Sequence, residues 1–414
     1  MAWLTPAATG FLLTCLYVPQ FMNRATSARW MAASVLVPVL LYLAGSGRKV
    51  DWLAAFLGVA FAGLSVLSTL WAISVPDAIS RNWHLLVGVG AFLWGAQTGR
   101  HGIAAMAVAM GVGMAANSIL VGIDLSGLAP HLVGYPDGAK TVEEAPLFVR
   151  VTNDPAGTFL NSNYMAEAAV VVIALVAAMR LSAPLKVGLI LVTLPCALLG
   201  GSRGALVGLL SLAGMWGCLT GRWRSTALLG GLGAILAGVY VAMNLSDPYA
   251  LLPRLATWAN VLASWTWFGN GAGSFLTGYA TIHDAWVASP PNVFGFVIRP
   301  GTAHNDLLTI LFEHGVAGAV LAVGFAARVA WMGWRGPGLY PFGAILVLGL
   351  TNFPLYNPLP LVAFCAVCGW ISSEPRFSRP VCGTPERGRW ANIRWLSARS
   401  LSRGAMPPVH FSPL

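Results

Sequence analysis

Long apolar runs alternate with short polar breaks along this chain. The runs lie near 3–22, 30–47, 52–75, 83–99, 102–123, 164–179, 186–200, 204–220, 226–245, 316–334, 338–353 and 358–373. A hydrocarbon core of about 30 Å needs roughly 20 apolar residues per helix, so the pattern predicts twelve spans in an all-α polytopic integral membrane protein. The first run has no small-residue cleavage site and leads straight into further spans, so it is expected to be a retained helix. Two breaks, 124–163 and 246–303, are far longer than the rest, and loops of that length between packed spans usually carry function. No internal repeat, heptad pattern or low-complexity tract interrupts this organisation.

Composition agrees with that pattern. Hydrophobic residues make up 57% of the 414 positions and charged residues 9%, with a mean hydropathy of +0.71. A soluble domain carries about 25% charged residues, so a soluble fold and a disordered chain are both excluded.

The net charge of +10 would suit nucleic acid, but its placement points elsewhere. With both termini in the cytoplasm, the inner segments hold Arg48, Lys49, Arg100, Arg180, Lys186, Arg222, Arg224, Arg328 and Arg335. The tail adds arginines 376, 379, 387, 389, 394, 399 and 403, giving sixteen basic residues inside against eight outside. The positive-inside rule supports this orientation, and no nucleic-acid partner is expected. Both long loops then face outward. Three regions follow: N-terminal transmembrane helices at 1–123, a membrane domain at 124–373 with both long loops, and a basic cytoplasmic tail at 374–414 that anchors on anionic lipid. Neither long loop contains any of the six cysteines, and Cys365-x-x-Cys368 inside an apolar helix reads as packing.

Four outward stretches concentrate polar chemistry. Gly157-Thr158-Phe159-Leu160-Asn161-Ser162-Asn163 feeds into a span just ahead of Glu167. Asn161 and Asn163 read equally as turn and cap residues or as binding groups. Gly200-Gly201-Ser202-Arg203-Gly204 is a tight corner between spans, where Arg203 would face an anion or snorkel to headgroups. Arg254-Leu255-Ala256-Thr257-Trp258 precedes Gly269-Asn270-Gly271-Ala272-Gly273-Ser274-Phe275, a glycine run with no βαβ context, so a dinucleotide fingerprint is rejected. Arg254 alone could be a loop-surface charge.

The last stretch, His304 to Gly318, has the apolar spacing of a helix lying in the outer interface. His304 stands at the start of that helix, where the terminus favours the neutral imidazole that a general base requires. Four histidines (131, 283, 304 and 314) are external, and spacing alone distinguishes His304 only modestly.

The run His304-Asn305, nine residues, then Gly315-x-x-Gly318 resembles the signature of the bacterial O-antigen ligase and O-antigen polymerase family. The other three stretches occur in that family's order, and the resemblance covers about residues 150 to 370. It implies transfer of a glycan from undecaprenyl diphosphate to lipid A-core or to a growing glycan. The enzyme would sit in the bacterial inner membrane among membrane lipids, with its site facing the periplasm. His304 would be the catalytic base, Arg203 and Arg254 would grip the lipid diphosphate, and Asn305, Asn161 and Asn163 would line the substrate site. No metal and no cofactor is implied, and neither loop contains an Asp-x-Asp; the adjacent Glu143-Glu144 reads as a solvated pair. A polymerase is the close alternative. A non-enzymatic transporter of lipid-linked glycan would instead place ionisable residues at the midplane of several spans.

Overall fold

The computed structural model describes residues 3–17, 27–44, 49–134, 148–149, 154–159, 161–219, 248–279, 302–334 and 336–374. Among these, eleven α-helices account for nearly all regular structure: α1 (Leu4–Cys15), α2 (Ser27–Ala44), α3 (Trp52–Ser68), α4 (Val75–Ser126), α5 (Ser162–Ala178), α6 (Ala183–Leu199), α7 (Arg203–Leu219), α8 (Pro248–Ala263), α9 (Asp306–Met332), α10 (Leu339–Thr351) and α11 (Pro358–Ser373). A parallel pair of two-residue strands, Val133–Gly134 with Phe148–Val149, lies in the first long loop. Residues Met1–Glu374 form one unit.

Four helical segments are long and apolar enough to cross a membrane: Ser27–Ala44, Trp52–Trp71, Val75–Ser126 and Asp306–Met332. Shorter apolar helices pack among them, and the protein is a membrane-embedded helical bundle. The expected span at 226–245 lies outside the described residues, as do the tail from 375, residues 135–147 and 150–153 of the first long loop and 280–301 of the second.

The spans expected at 83–99 and 102–123 form one helix, α4, interrupted at Gly99 by non-helical backbone (φ 56, ψ −147). Position 124 lies within this helix, so the expected boundary between N-terminal spans and the rest falls inside an element. Part of the second long loop is also helical. The α8 segment buries Thr257 and Val261 on one side, an amphipathic pattern too short and too polar to register as a span.

The helices differ in what they face. In α5 every residue from Met165 to Val176 is buried, because α4, α6, α7 and α10 surround it. In α3 only Ala54, Ser65 and Ser68 are buried, while Trp52, Phe56, Val59, Val66 and Leu67 are exposed on an apolar surface suited to lipid. Helices α4 and α11 meet backbone to backbone: a side chain on Gly95 would collide with the main chain of Ala366, and one on Gly369 with that of Phe92. Small residues permit such close approach where lipid supplies no hydrophobic drive to bring helices together. Cys368 is fully buried in this contact, and both it and Cys365 are free thiols.

Candidate functional site

Asn305 opens α9 as its N-cap, accepting from the Leu308 amide at 3.0 Å through Oδ1 and donating from Nδ2 to the Leu350 carbonyl at 2.9 Å. Its two polar atoms thus fasten α9 to the end of α10. The preceding residue, His304, has φ of 50°, the one positive φ outside glycine among the described residues. A non-glycine residue in this region is strained, and such strain persists only where the surroundings fix it.

The imidazole of His304 packs edge-on to Phe353, ring centroids 5.2 Å apart, and faces the side chain of Asn352. Burial, reinforced by the Arg254 charge and opposed by Asn352, pushes the His304 pKa down to about 4. At neutral pH the ring is uncharged and its lone pair is free to accept a proton. Arg254 in α8 acts on both His304 and Glu167. The end of α8 is tied to the same strand of chain by Trp258, whose Nε1 donates to the Ala303 carbonyl at 2.7 Å.

Asn352 caps α10 and donates from Nδ2 to Oε1 of Glu167, which is 1% exposed near the N-terminal end of α5. The tight corner before α7 joins the same group. Gly204 packs on Thr351 and Asn352, which brings the Ser202-Arg203-Gly204 stretch against the polar link between α10 and α11. Asp306, in the first turn of α9, is also buried; its Oδ2 accepts from the Leu355 amide at 3.3 Å and its charge acts on Glu167. Glu167, the corner at 202–204 and the segments 254–258 and 303–306 thus converge around Asn352.

The remaining predicted residues have local work. Asn161 caps α5, accepting from the amides of Asn163 at 2.9 Å and Tyr164 at 3.4 Å. The Gly157-Thr158-Phe159 turn is plugged into the bundle: Thr158 donates from its amide to Asn117 Oδ1 at 2.8 Å, and its carbonyl accepts from Arg29 Nη2 at 2.8 Å. Asn163 lies in the first turn of α5, half-buried.

The glycine run has a structural explanation. At Gly315, φ is 66° and α9 breaks, exposing main-chain groups that the 266–271 segment satisfies. Asn270 and Gly271 donate to the carbonyls of Phe312 and Glu313 at 3.0 and 2.9 Å, while Val316 and Ala317 donate to Thr266 and Trp267 at 3.0 and 3.1 Å. A side chain at Gly269 or Gly315 would strike the opposing backbone. The buried carboxylate of Glu313 stands 3.7 Å from Arg81, and neither of its oxygens makes a hydrogen bond. The Arg81 guanidinium lies 3.5 Å from the Tyr356 ring centre. His314 turns towards α3, its Nε2 2.9 Å from Ser65 Oγ and its ring 5.2 Å from Phe61.

Sequence reading assigned no function to Asn352, Asp306, Glu313 or Arg81. A signal for Asn352 existed in the Thr351-Asn352-Phe353-Pro354 break between two apolar runs, and for Glu167 in the presence of a carboxylate within a run. Among the described residues no three His, Cys, Asp or Glu side chains converge as metal ligands. The chain matches no protein-family model and no curated protein.

Proposed function

We propose that this protein is a glycosyltransferase of the bacterial inner membrane, with twelve spans and both termini cytoplasmic. It moves a glycan from undecaprenyl diphosphate to an acceptor hydroxyl on the periplasmic side, most directly onto lipid A-core. The observation that carries this reading is the meeting of three separate motif stretches and Glu167 around Asn352, with a half-buried neutral His304 under the influence of Arg254.

The chemistry requires a base for the acceptor and fixed positive charge for the leaving group. The acceptor oxygen forms the new bond to the anomeric carbon while its proton passes to His304. The bond from that carbon to the diphosphate oxygen breaks, and its electron pair departs on undecaprenyl diphosphate. Attack opposite the leaving group inverts the anomeric centre. Arg203 and Arg254 face the diphosphate, where a guanidinium fork can pair with two phosphate oxygens at once. The diphosphate linkage itself supplies the driving force.

A polymerase would perform the same displacement with a growing glycan as acceptor. Vesicles containing the purified chain and a labelled lipid-linked glycan, supplied either with lipid A-core or with further lipid-linked repeat units, separate the two. The expected product is labelled lipid A-core. Label appearing only in longer glycan would assign a polymerase, and label leaving the lipid in neither arm would refute glycosyl transfer.

A further inference from the structure

We infer that α8 and the turn after it lie in the outer surface of the membrane, with one apolar face against lipid acyl chains, and that this contact sets the depth of Arg254. The lipid contact stands on the membrane-embedded bundle alone. Its consequence for Arg254 rests on the proposed transfer from a lipid diphosphate.

Between Arg254 and Asp284 the chain carries no charged residue, although a segment surrounded by water would carry about one in four. Arg254, Thr257, Trp258 and Val261 fall on one side of α8 at helical spacing, and that side meets protein. Thr257 is buried, Trp258 donates to the Ala303 carbonyl, and Val261 joins Phe275, Tyr279 and Phe312 in a small apolar core. A helix resting on protein in water turns polar side chains outward. This one turns out Leu255, Ala259 and Leu262, all exposed. The apolar face runs on through Trp265, Trp267 and Phe268, which are 50, 65 and 59% exposed. A continuous exposed apolar surface of this kind marks a contact site.

Two observations identify lipid as what covers it. The first is continuity with the spans. The Ala272 amide donates to Ser68 Oγ at 2.9 Å, and Gly271, Gly273 and Gly278 pack on Ala72, the Asp77 carbonyl and Ile73, so the segment is seated on the turn between α3 and α4. Leu70, Trp71, Ile73 and Ile79 are exposed at that turn and extend the lipid-facing surface of α3 and α4. The second is the level of the tryptophans. Exposed tryptophans form two groups: Trp3, Trp52, Trp216, Trp331 and Trp334 towards the end closed by the Asp51 to Arg328 ion pair, and Trp71, Trp83, Trp265 and Trp267 towards the other. Tryptophan concentrates at the two membrane interfaces, so Trp265 and Trp267 belong to the outer belt although they lie in a long connection between spans.

A helix bound in this layer sinks its apolar face about 5–10 Å into the boundary between headgroups and acyl chains. Arg254, on the protein side of the same helix, is then level with the lipid phosphates, which is the depth at which a lipid-linked donor carries its diphosphate.

The full chain in vesicles of phosphatidylethanolamine and phosphatidylglycerol tests the contact without substrate. A photoreactive benzophenone amino acid at position 262 or 267 should be joined to phospholipid on irradiation, as at position 59 on the exposed side of α3. Bromine on the acyl chain near the headgroup should quench the fluorescence of Trp265 and Trp267, read as the difference between wild type and Trp265→Phe/Trp267→Phe, more than bromine near the chain end. Capture of protein alone, whether a second copy or residues 280–301 of the same chain, overturns the lipid contact, and so does quenching that is absent or stronger from the chain end.

The depth of Arg254 is read from transfer. Leu262→Asp puts a charge into the apolar face, so a smaller fraction of the protein holds Arg254 at the level of the donor. Donor KM should rise several-fold with kcat within about twofold. An unchanged donor KM overturns the depth role. Lipid capture at both positions by a wild-type protein that transfers nothing would leave the lipid contact standing, and would remove the transferase reading together with the role of Arg254 depth.

Discussion

The two ends of the helical bundle differ in how their ionisable groups are partnered. At the end formed by the start of α3, the Gly99 break and the ends of α5, α9 and α11, the cations meet a carboxylate or helix-end carbonyls, while Gln97 Oε1, Arg100 Nε and Ser372 Oγ are buried without a hydrogen-bond partner. Asp51 caps α3 through the Ala54 amide and takes both Nε and Nη2 of Arg328 at 3.0 and 2.6 Å. Arg100 and Lys186 donate to the carbonyls of Ala178 and Ala177, which end α5, and Trp370 donates to Glu374. At the opposite end, Glu167 Oε2, Asp306 Oδ1, His304 Nδ1 and His314 Nδ1 are all buried with no hydrogen-bond partner, and His304 has strained backbone. Partnerless buried polar atoms cost free energy and gather where function requires them. The first end ties helix termini together, and the second gathers buried carboxylates and imidazoles that have atoms without a hydrogen-bond partner.

The largest effect separating the ends should come from the arginines. Arg203→Ala and Arg254→Ala are each expected to reduce transfer to near zero in protein that still inserts, and lysine should rescue poorly because a point charge cannot reproduce the bidentate fork. Wild-type transfer by the lysine variants would reduce these residues to lipid anchors. The membrane orientation gives an all-or-none test. A reporter fused after residue 280 should report the periplasm, and a cytoplasmic signal there would put the second end on the wrong side.

A smaller effect concerns pH. With the His304 pKa depressed to about 4, wild-type transfer should be level through neutral pH and fall only as pH drops through that value, because imidazolium cannot accept a proton. Arg254→Gln removes a like charge, so the His304 titration followed by magnetic resonance should move to higher pH. An unmoved titration would mean that burial alone sets the ring's state. The smallest effect lies at the first end. Asp51→Ala removes a cap and an ion pair worth together about 1–2 kcal/mol, which should lower the Tm of the detergent-solubilised protein while leaving the transfer rate intact.

The bundle was readable in sequence because each described span is an apolar run long enough to form a helix, and its ends fall at polar or glycine breaks such as Asp51, Gly99 and Asn357. The helix α8 was hidden inside an expected loop, since one buried edge bearing Thr257 and Val261 does not make a hydrophobic run. His304, Arg203 and Arg254 stood out through motif spacing. Their neighbours did not, because the link from Glu167 to Asn352 spans 185 positions and leaves no local pattern. The glycine run illustrates the opposite limit: its sequence context served only to reject a dinucleotide fingerprint, whereas its role is to meet the broken backbone at Gly315.

The central claim is that His304, at the second end, takes the acceptor proton. It is tested most directly by the single-turnover rate of His304→Ala and His314→Ala side by side, using saturating lipid-linked donor and purified acceptor. Both histidines are at the same end, but His314 is committed to Ser65 and Phe61 on α3. His304→Ala should lose about 10²–10⁴ in rate with donor binding nearly unchanged, and His314→Ala should lose far less. Near-normal turnover by His304→Ala, with the loss falling on His314→Ala, would contradict the account.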